Sequence, residues 1–286
     1  MKKNYFISIV LFFSLINIYS QSVDKIKGNK IVETKIINIE NFKLLEVGEE
    51  FDVILFEQAT PKVLIEADSN LHDFIVIDVD AEKLTVRTSK TITKSKKLSL
   101  EIGYTGDLSQ IIVNGKVTMR GNSTLVTERT ELIVNDNAQV NLNFKSSRVE
   151  IKGSDKSKIN STIEAESVAI TGNNSSDLFI NMNTESLNIS LAEDSELKIS
   201  GITAKANLFL QDNSHFSGGE LDTGIGVLST KNKSKSYIKV TDKLSLTASE
   251  TSETYLIGNP IIEITAFNDF PKLEKVKKVP SNWFTK

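Results

Sequence analysis

Residues 149–191 read VEIKGSDKSKINSTIEAES VAITGNNSSDLFINMNTES LNISL, a stretch in which apolar residues return every nineteen positions. Val149 and Ile151 are two positions apart, and the pair recurs as Val168 and Ile170. Residues two apart point to the same side of an extended strand. A fixed period of this length is typical of a solenoid, in which each repeat buries its apolar face against its neighbours. The stretch therefore predicts a solenoid whose coils contain short strands.

The same spacing extends in both directions as two columns of residues that we predict to face the interior. The first column is Ile111, Thr130, Val149, Val168, Leu187, Ala206, Ile225 and Leu244. The second is Val113, Leu132, Ile151, Ile170, Ile189, Leu208, Val227 and Leu246. Only Thr130 is polar, and parallel strands joined by a crossover are almost always right-handed. We predict an all-β fold, a right-handed parallel β-helix with about nineteen residues per coil.

Turn-forming residues follow the second column at the same spacing, beginning with Asn135-Asp136-Asn137. A small residue then precedes a second apolar strand, as at Ala138 and Ser157. A leucine-rich repeat would require its own leucine and asparagine frame, which does not occur here, and a left-handed hexapeptide helix would prefer a period of eighteen. The corner pattern therefore favours the parallel β-helix.

Composition and the N-terminus suggest an exported protein. Residues 1–20 combine two lysines, a short apolar run and a small residue at Ser20, as in a secretory signal peptide. Removing those lysines changes the formal net charge from −3 to −5, which argues against nucleic acid as a partner. The absence of cysteine excludes disulfides and thiolate metal sites. No later stretch of the chain is apolar enough to predict a transmembrane segment.

We divide the chain into four segments. After the signal peptide at 1–20, residues 21–110 carry strand patterns without a clear period and predict an N-terminal β region, either the first coils or a cap. Residues 111–270 are the regular coils. Residues 271–286 are a basic C-terminal tail or cap that includes the only tryptophan, Trp283.

Three short motifs give the N-terminal half a family resemblance. They are FKLLEVGEEFDV at 42–53, VLIEADSNL at 63–71 and KLTV at 83–86, and the stacked coils follow them. With these motifs the chain resembles the bacterial family described as "putative auto-transporter adhesin, head domain", from about residue 42 to residue 266. The resemblance implies an exported β-helix of the pectin-lyase-like shape that acts in adhesion and has no assigned catalytic residues.

One column of polar corner residues is the main candidate for chemistry. Its members are Asp136, Asp155, Asn174, Glu193 and Asp212. Stacked carboxylates could bind calcium or provide the acid and base of a polysaccharide-cleaving enzyme. The same residue types are also ordinary in solvated turns. We take the turn interpretation, and we predict no cofactor, no metal and no catalytic residue.

Two pairs of residues are candidates for binding. Phe209 and Leu228 follow inward positions of adjacent coils, so alternation places both outward as an apolar step. Tyr237 and Tyr255 fall in adjacent late coils and could form a platform on which a sugar stacks.

We predict a non-enzymatic exported protein that binds a surface glycan or an envelope protein through its lateral faces. Its compartment would be the periplasm, the outer membrane surface or the extracellular space. The alternatives are a polysaccharide lyase or hydrolase on the same fold and a structural envelope protein. Carboxylates that converge with Arg or Lys in a groove would favour the enzyme, and a continuous groove without such a cluster would favour binding.

Overall fold

The structure, a computed structural model, describes residues 24–106 and 108–280. The predicted signal peptide and the last six residues of the tail lie outside the described residues. Strands account for 69% of the described residues and helix for 2%, and parallel coils of about 19 residues stack into about nine turns. The predicted all-β solenoid is confirmed. Among the described residues, no helix has the length and apolar character needed to cross a membrane.

The N-terminal region combines coils with a cap. Its elements are β1 (Lys25–Lys27), β2 (Val32–Asn38), β3 (Leu44–Val47), β4 (Asp52–Glu57), β5 (Lys62–Asp68), the 3-10 turn Ser69–Phe74, β6 (Ile75–Asp80), β7 (Lys83–Thr88), β8 (Thr91–Lys94) and β9 (Leu98–Tyr104). β3 and β4 pair in parallel with β7 and β9, as neighbouring coils of the solenoid do. β5 runs antiparallel to β2 and β9, and β6 runs antiparallel to β7. These antiparallel strands cover the N-terminal edge of the stack.

The regular part of the solenoid follows. Its strands are β10 (Gln110–Val113), β11 (Thr118–Gly121), β12 (Leu125–Val134), β13 (Gln139–Asn141), β14 (Phe144–Gly153), β15 (Lys158–Gly172), β16 (Asp177–Leu191), β17 (Glu196–Leu210), β18 (His215–Thr230), β19 (Lys235–Glu250), β20 (Glu253–Ile257), β21 (Ile261–Asp269) and β22 (Lys272–Lys275). β10 pairs with β3 on one side and with β12 on the other. The order of the first coils along the rod is therefore β7, β3, β10, β12, which is not their order in the sequence.

The buried columns match the nineteen-residue period only in the middle of the rod. Ile111 pairs with Leu132 rather than with Thr130, a step of 21 residues. Thr130 is nevertheless buried and pairs directly with Val149, and its hydroxyl bonds to that of Thr127. The first predicted step is therefore wrong, because the coil at Ile111 has a longer connection than those that follow.

A second irregularity reverses two predicted orientations. Lys198 pairs with Ser217 but Ser200 pairs with Glu220, so β18 contains one extra residue at a bulge. Because side chains alternate along a strand, one extra residue exchanges inside for outside beyond it. Gly226 and Leu228 consequently replace Ile225 and Val227 in the interior, and Val227 is 46% exposed.

The described part of the tail begins a further coil at the C-terminal end of the rod and then turns back along its side. β22 pairs in parallel with β20, and Val276 donates its amide hydrogen to the Leu256 carbonyl. Val279 then reaches Gly219 at the bulge of β18. A Cβ built on Gly219 would lie 2.3 Å from Val279 Cγ2, so only glycine lets the tail approach this closely.

Candidate functional site

One bend of each regular coil is formed by small hydroxyl or methyl side chains that stack from coil to coil. This column consists of Thr127, Ser146, Ala165, Thr184, Thr203 and Thr223. The hydroxyls of Ser146, Thr184 and Thr203 each donate to the carbonyl two residues further on, at 3.2, 3.2 and 3.0 Å. The Thr223 hydroxyl is buried without such a bond. Such local bonds stabilise a sharp change of chain direction. Because the side chains at the bend are small, the surface there is concave.

The bend column is the floor of a shallow, open lateral groove of about 800 Å³. One wall is the outward column Val126, Lys145, Glu164, Asn183, Ile202 and Asp222. The other wall consists of residues just after the floor, among them Ser147, Glu166, Glu185 and Ala204. The groove continues to Thr241 and so crosses seven coils. At about 4.8 Å between neighbouring strands it is roughly 29 Å long.

The walls alternate charged, amide and apolar side chains. Lys145 Nζ lies 2.8 Å from Glu164 Oε1, and Asp222 pairs with Lys239, so two of the carboxylates are neutralised locally. Glu166 is exposed on the opposite wall. Val126 and Ile202 are both more than half exposed at positions where an outward polar residue would be usual. The groove therefore offers hydrogen-bonding groups at each coil and two apolar contacts about 19 Å apart.

The acidic column of the sequence analysis lies at a different corner, where the backbone is left-handed. Its residues have φ between 56° and 60°: Asp136, Asp155, Asn174, Glu193 and Asp212. The bulge in β18 makes Asn232 the next member, and Glu250 and Asp269 follow it. Asp and Asn tolerate this conformation better than most residues, which agrees with the predicted turn.

Most acidic side chains of this corner bind the backbone of the preceding coil. Asp136 Oδ2 accepts from the Gly115 amide at 2.7 Å, and Glu193 Oε2 accepts from the Asn174 amide at 2.8 Å. The Ser154 hydroxyl, the Asp136 amide and the Asn174 side chain lower the pKa of Asp155. The carboxylates thus satisfy amide hydrogens that a left-handed turn would otherwise leave to solvent.

Within the part of the chain that the structure describes, no three carboxylate or imidazole groups are arranged to hold a metal ion. In the acidic corner, amide side chains separate some of the carboxylates. Asn174 Nδ2 donates to Asp155 Oδ1 at 2.9 Å, and Asn232 Nδ2 donates to Asp212 Oδ1 at 2.6 Å. The weak metal candidates Asp136, Asp155, Glu193 and Asp212 therefore have structural partners already.

The predicted apolar step of Phe209 and Leu228 is half wrong. Phe209 is exposed, with Lys231 Nζ 5.4 Å from its ring centroid. Leu228 is completely buried between Leu208 and Leu246, because the bulge shifts the register by one residue. The exposed apolar neighbour of Phe209 is instead Val227, and both line a shallow depression on this face.

Tyr237 and Tyr255 are adjacent as predicted, but they do not form an open platform. Their rings stack with centroids 4.6 Å apart and planes 11° from parallel. Lys272 Nζ lies 4.8 Å from the centroid of the Tyr255 ring. A ring has two faces, so Tyr237 and Lys272 together occupy both faces of Tyr255. The two rings pack the last coils against each other and do not present a free face on which a sugar could stack.

Sequence reasoning missed the groove. A signal was present, because Ser146, Ala165, Thr184 and Thr203 also recur at steps of nineteen. Small hydroxyl residues resemble ordinary surface composition, whereas apolar columns are conspicuous against it. Only the folded coil reveals that these residues form the floor of a concavity.

The sequence and the fold were compared with known proteins. A family model described as "Putative auto-transporter adhesin, head GIN domain" matches residues 41–162 and 146–260. A structure of a "putative adhesin" from Parabacteroides merdae has a TM-score of 0.69 at 19% identity and covers 89% of this chain and 100% of its own. A "putative adhesin" from Parabacteroides distasonis has a TM-score of 0.70 at 16% identity, covering 88% of this chain and 100% of its own.

A third structure, of a "Putative lipid binding protein" from Parabacteroides distasonis, has a TM-score of 0.58 at 16% identity and covers 89% of this chain and 100% of its own. At these identities the likeness shows the fold alone. No curated protein sequence matches the chain.

Proposed function

The chain belongs to the family described as "Putative auto-transporter adhesin, head GIN domain", and on that premise we propose that it is an exported, non-enzymatic adhesion protein that binds an extended surface polymer along the lateral groove. The family description supports the adhesion role, and the N-terminal sequence supports export to the periplasm, the outer membrane surface or the extracellular space.

The observation that carries the proposal is the continuity of the groove across seven coils. A solenoid repeats its surface every 4.8 Å or so, and a linear polymer also presents equivalent groups at regular intervals. At about 3.3 Å per residue, roughly nine residues of extended polypeptide would fill the groove. A glycan chain of the same length would also fit, and the two occupants are distinguished by experiment.

Groove contacts should be additive along the polymer rather than concentrated in one pocket. Each coil contributes a hydroxyl, amide or carboxylate group, and Val126 and Ile202 add apolar contacts. Because the Ser and Thr hydroxyls of the floor can bond to their own bend, the ligand would contact mainly the walls. This arrangement favours an elongated ligand over a compact one.

The proposal includes the absence of glycan cleavage. Glycosidic cleavage uses two carboxylates placed across the scissile bond. In this chain most carboxylates of the acidic corner accept amide hydrogens of the preceding coil. In the groove, Glu164 and Asp222 are paired with Lys145 and Lys239. Both arrangements favour structural roles for these carboxylates. Incubation of the mature chain with pectic, alginate-like and host-type glycans should release no reducing ends. Turnover that is lost on Glu166→Gln in the groove, or on Asp155→Asn or Glu193→Gln at the acidic corner, would refute this part of the proposal.

The binding claim is tested on an array of glycans and envelope proteins. Ser147 and Ala204 are exposed on the groove wall, so Ser147→Arg and Ala204→Arg place long side chains in the groove without changing the core. We expect each to weaken binding by tenfold or more. Ser190→Arg is the matched control, because Ser190 is also exposed but lines the depression beside Phe209.

The outcomes separate the alternatives. If Ser190→Arg abolishes binding and the groove variants do not, the Phe209 face is the binding site and the groove assignment is wrong. If the mature chain binds no glycan and no envelope protein, the structural envelope protein becomes the better interpretation.

A further inference from the structure

The two ends of the rod are closed differently. At the N-terminal end the outermost strands are β2 and β6, which run antiparallel to their neighbours. They carry charged side chains at Glu33, Lys35, Asp78 and Asp80. Charged residues on an edge strand are a usual means of preventing another chain from pairing with it.

At the C-terminal end, β22 stacks on β20 and carries Lys272, Glu274 and Lys275, but β21 has no such protection among the described residues. β21 pairs in parallel with β19 and with no other described strand, so one of its edges presents free backbone N–H and C=O groups. The nine residues of β21 include neither lysine nor proline, and their two carboxylates are Glu263 and, at the last position, Asp269. The Glu263 carboxylate is turned toward the preceding coil, 2.7 Å from Lys243 Nζ, and so does not prevent another strand from pairing with this edge.

The same strand exposes the end of the hydrophobic core. Ile262 and Ile264 continue the inward positions of Leu244 and Leu246, which are completely buried. Ile262 is nevertheless 44% exposed and Ile264 is 51% exposed. Phe267, the partner of the buried Ala248, is 42% exposed.

This end concentrates the exposed apolar surface of the molecule. Of the thirteen large apolar side chains exposed in the described part of the chain, five lie within 261–270: Ile261, Ile262, Ile264, Phe267 and Phe270. At roughly 200 Å² for a fully exposed large side chain, the exposed fractions of these five amount to about 600 Å² on each copy. A stable interface buries about 600–1,000 Å² on each partner. Counted in full, the apolar side chains of this end reach the lower limit of that range, and the backbone of β21 adds to it.

We propose that two copies of this chain associate through their C-terminal ends, with β21 pairing antiparallel to β21 of the second copy about a two-fold axis. A two-fold interface uses the same surface on both copies and therefore closes as a dimer. The capped N-terminal end offers no complementary edge, so the rods do not continue into a filament. The dimer is a rod of about twice the length, with a lateral groove on each half.

The test is the oligomeric state of the mature chain measured by analytical ultracentrifugation over a wide concentration range. We expect a dimer for the wild type and a monomer for Ile264→Lys. Ile36→Lys is the matched control, because Ile36 is similarly exposed but lies on β2 at the opposite end, and this variant should remain dimeric. Circular dichroism and thermal melting establish that both variants are folded.

Spin labels then identify the interface. The chain contains no cysteine, so Ile264→Cys and Ile36→Cys each provide a single labelling site. In the proposed dimer the labels at residue 264 lie within roughly 20 Å of each other, because paired strands are about 5 Å apart. The labels at residue 36 lie on the order of 80 Å apart, since about nine coils separate each from the interface.

Several results would overturn the proposal. A wild type that stays monomeric at every concentration is one, and a dimer that persists in Ile264→Lys is another. A short distance between labels at residue 36 would place the interface elsewhere. Dimerisation only after deletion of residues 281–286 would mean that the chain's own C-terminus covers this edge.

Discussion

Replacing Leu228 by alanine tests the register of the coils after the bulge. The nineteen-residue period predicts Val227 inside, whereas the structure buries Leu228 and leaves Val227 46% exposed. Leu228→Ala removes three carbon groups, worth about 2.4 kcal/mol at about 0.8 kcal/mol each. The cavity left between Leu208 and Leu246 raises the loss to about 3–4 kcal/mol. Val227→Ala removes two partly exposed carbons and should cost less than about 1 kcal/mol.

The two variants are compared by urea unfolding and by thermal melting under the same conditions. For a chain of this size, the loss in Leu228→Ala corresponds to a fall in Tm of about 6–16 °C. Val227→Ala should change Tm by only a few degrees. A larger loss of stability in Val227→Ala than in Leu228→Ala would show that the extra residue of β18 lies elsewhere and that the register is wrong.

Three further predictions concern polar groups of the fold. Millimolar calcium should not raise the Tm of the wild type, because the corner carboxylates already accept amide hydrogens; a rise that disappears in the Asp155→Asn and Asp212→Asn double variant would contradict the turn interpretation. Burial alone would raise the pKa of Asp68, but amide hydrogens of Lys30, Lys97 and Lys96 outweigh it and hold the pKa below its ordinary value of 3.8. The charged carboxylate therefore stabilises the fold above about pH 4, and this contribution is lost as the pH falls through the lowered pKa. In melting curves against pH, Asp68→Asn should be less stable than the wild type at pH 7. A difference in Tm between the two proteins that failed to narrow in acid would count against this role. Ser176 is buried with no hydrogen-bond partner for its hydroxyl, and the equivalent residue of an earlier coil is Ala138. Ser176→Ala should therefore leave the free energy of unfolding unchanged or raise it by up to about 1 kcal/mol, whereas Ser176→Leu should lower it by about 1–3 kcal/mol through overpacking. Urea unfolding that ranks the two variants in the opposite order would contradict the tight packing of this corner.

The parts of the fold that could be predicted from sequence are those where each coil repeats the one before it. Val149, Val168 and Leu187 pair directly in the structure, as the period requires. The prediction failed at the bulge of β18, because one inserted residue leaves the apolar pattern readable in either register: Ile225 and Val227 are as apolar as Leu228. A period alone cannot choose between them, and only the packing of neighbouring coils does.

The N-terminal region was less predictable for a different reason. Strand patterns were visible there, but β3 lies between β7 and β10, so neighbours in space are far apart in sequence. The antiparallel strands β5 and β6 interrupt the coils and remove the regular spacing. A repeat search detects coils that follow one another along the chain, and it cannot detect coils that are stacked out of order.

The binding candidates were also predictable only as far as strand alternation and the nineteen-residue period reach. The outward direction of Phe209 followed from alternation, and the adjacency of Tyr237 and Tyr255 followed from the period. The cover provided by Lys272 is missing from the sequence prediction because the coils were ended at residue 270, whereas β22 pairs with β20 at a further step of nineteen residues. Predicting the groove requires knowledge of where the coil bends. The position of the bend depends on Ser and Thr side chains that bond to the backbone two residues further on.

The account depends most on the claim that an extended polymer lies along the groove. The direct measurement is the affinity of the mature chain, by isothermal titration, for a length series of the polymer that the array selects. Because the groove crosses seven coils, affinity should rise with each added unit until the ligand is roughly 29 Å long and then level off. A single unit that binds as tightly as the long polymer would contradict the account.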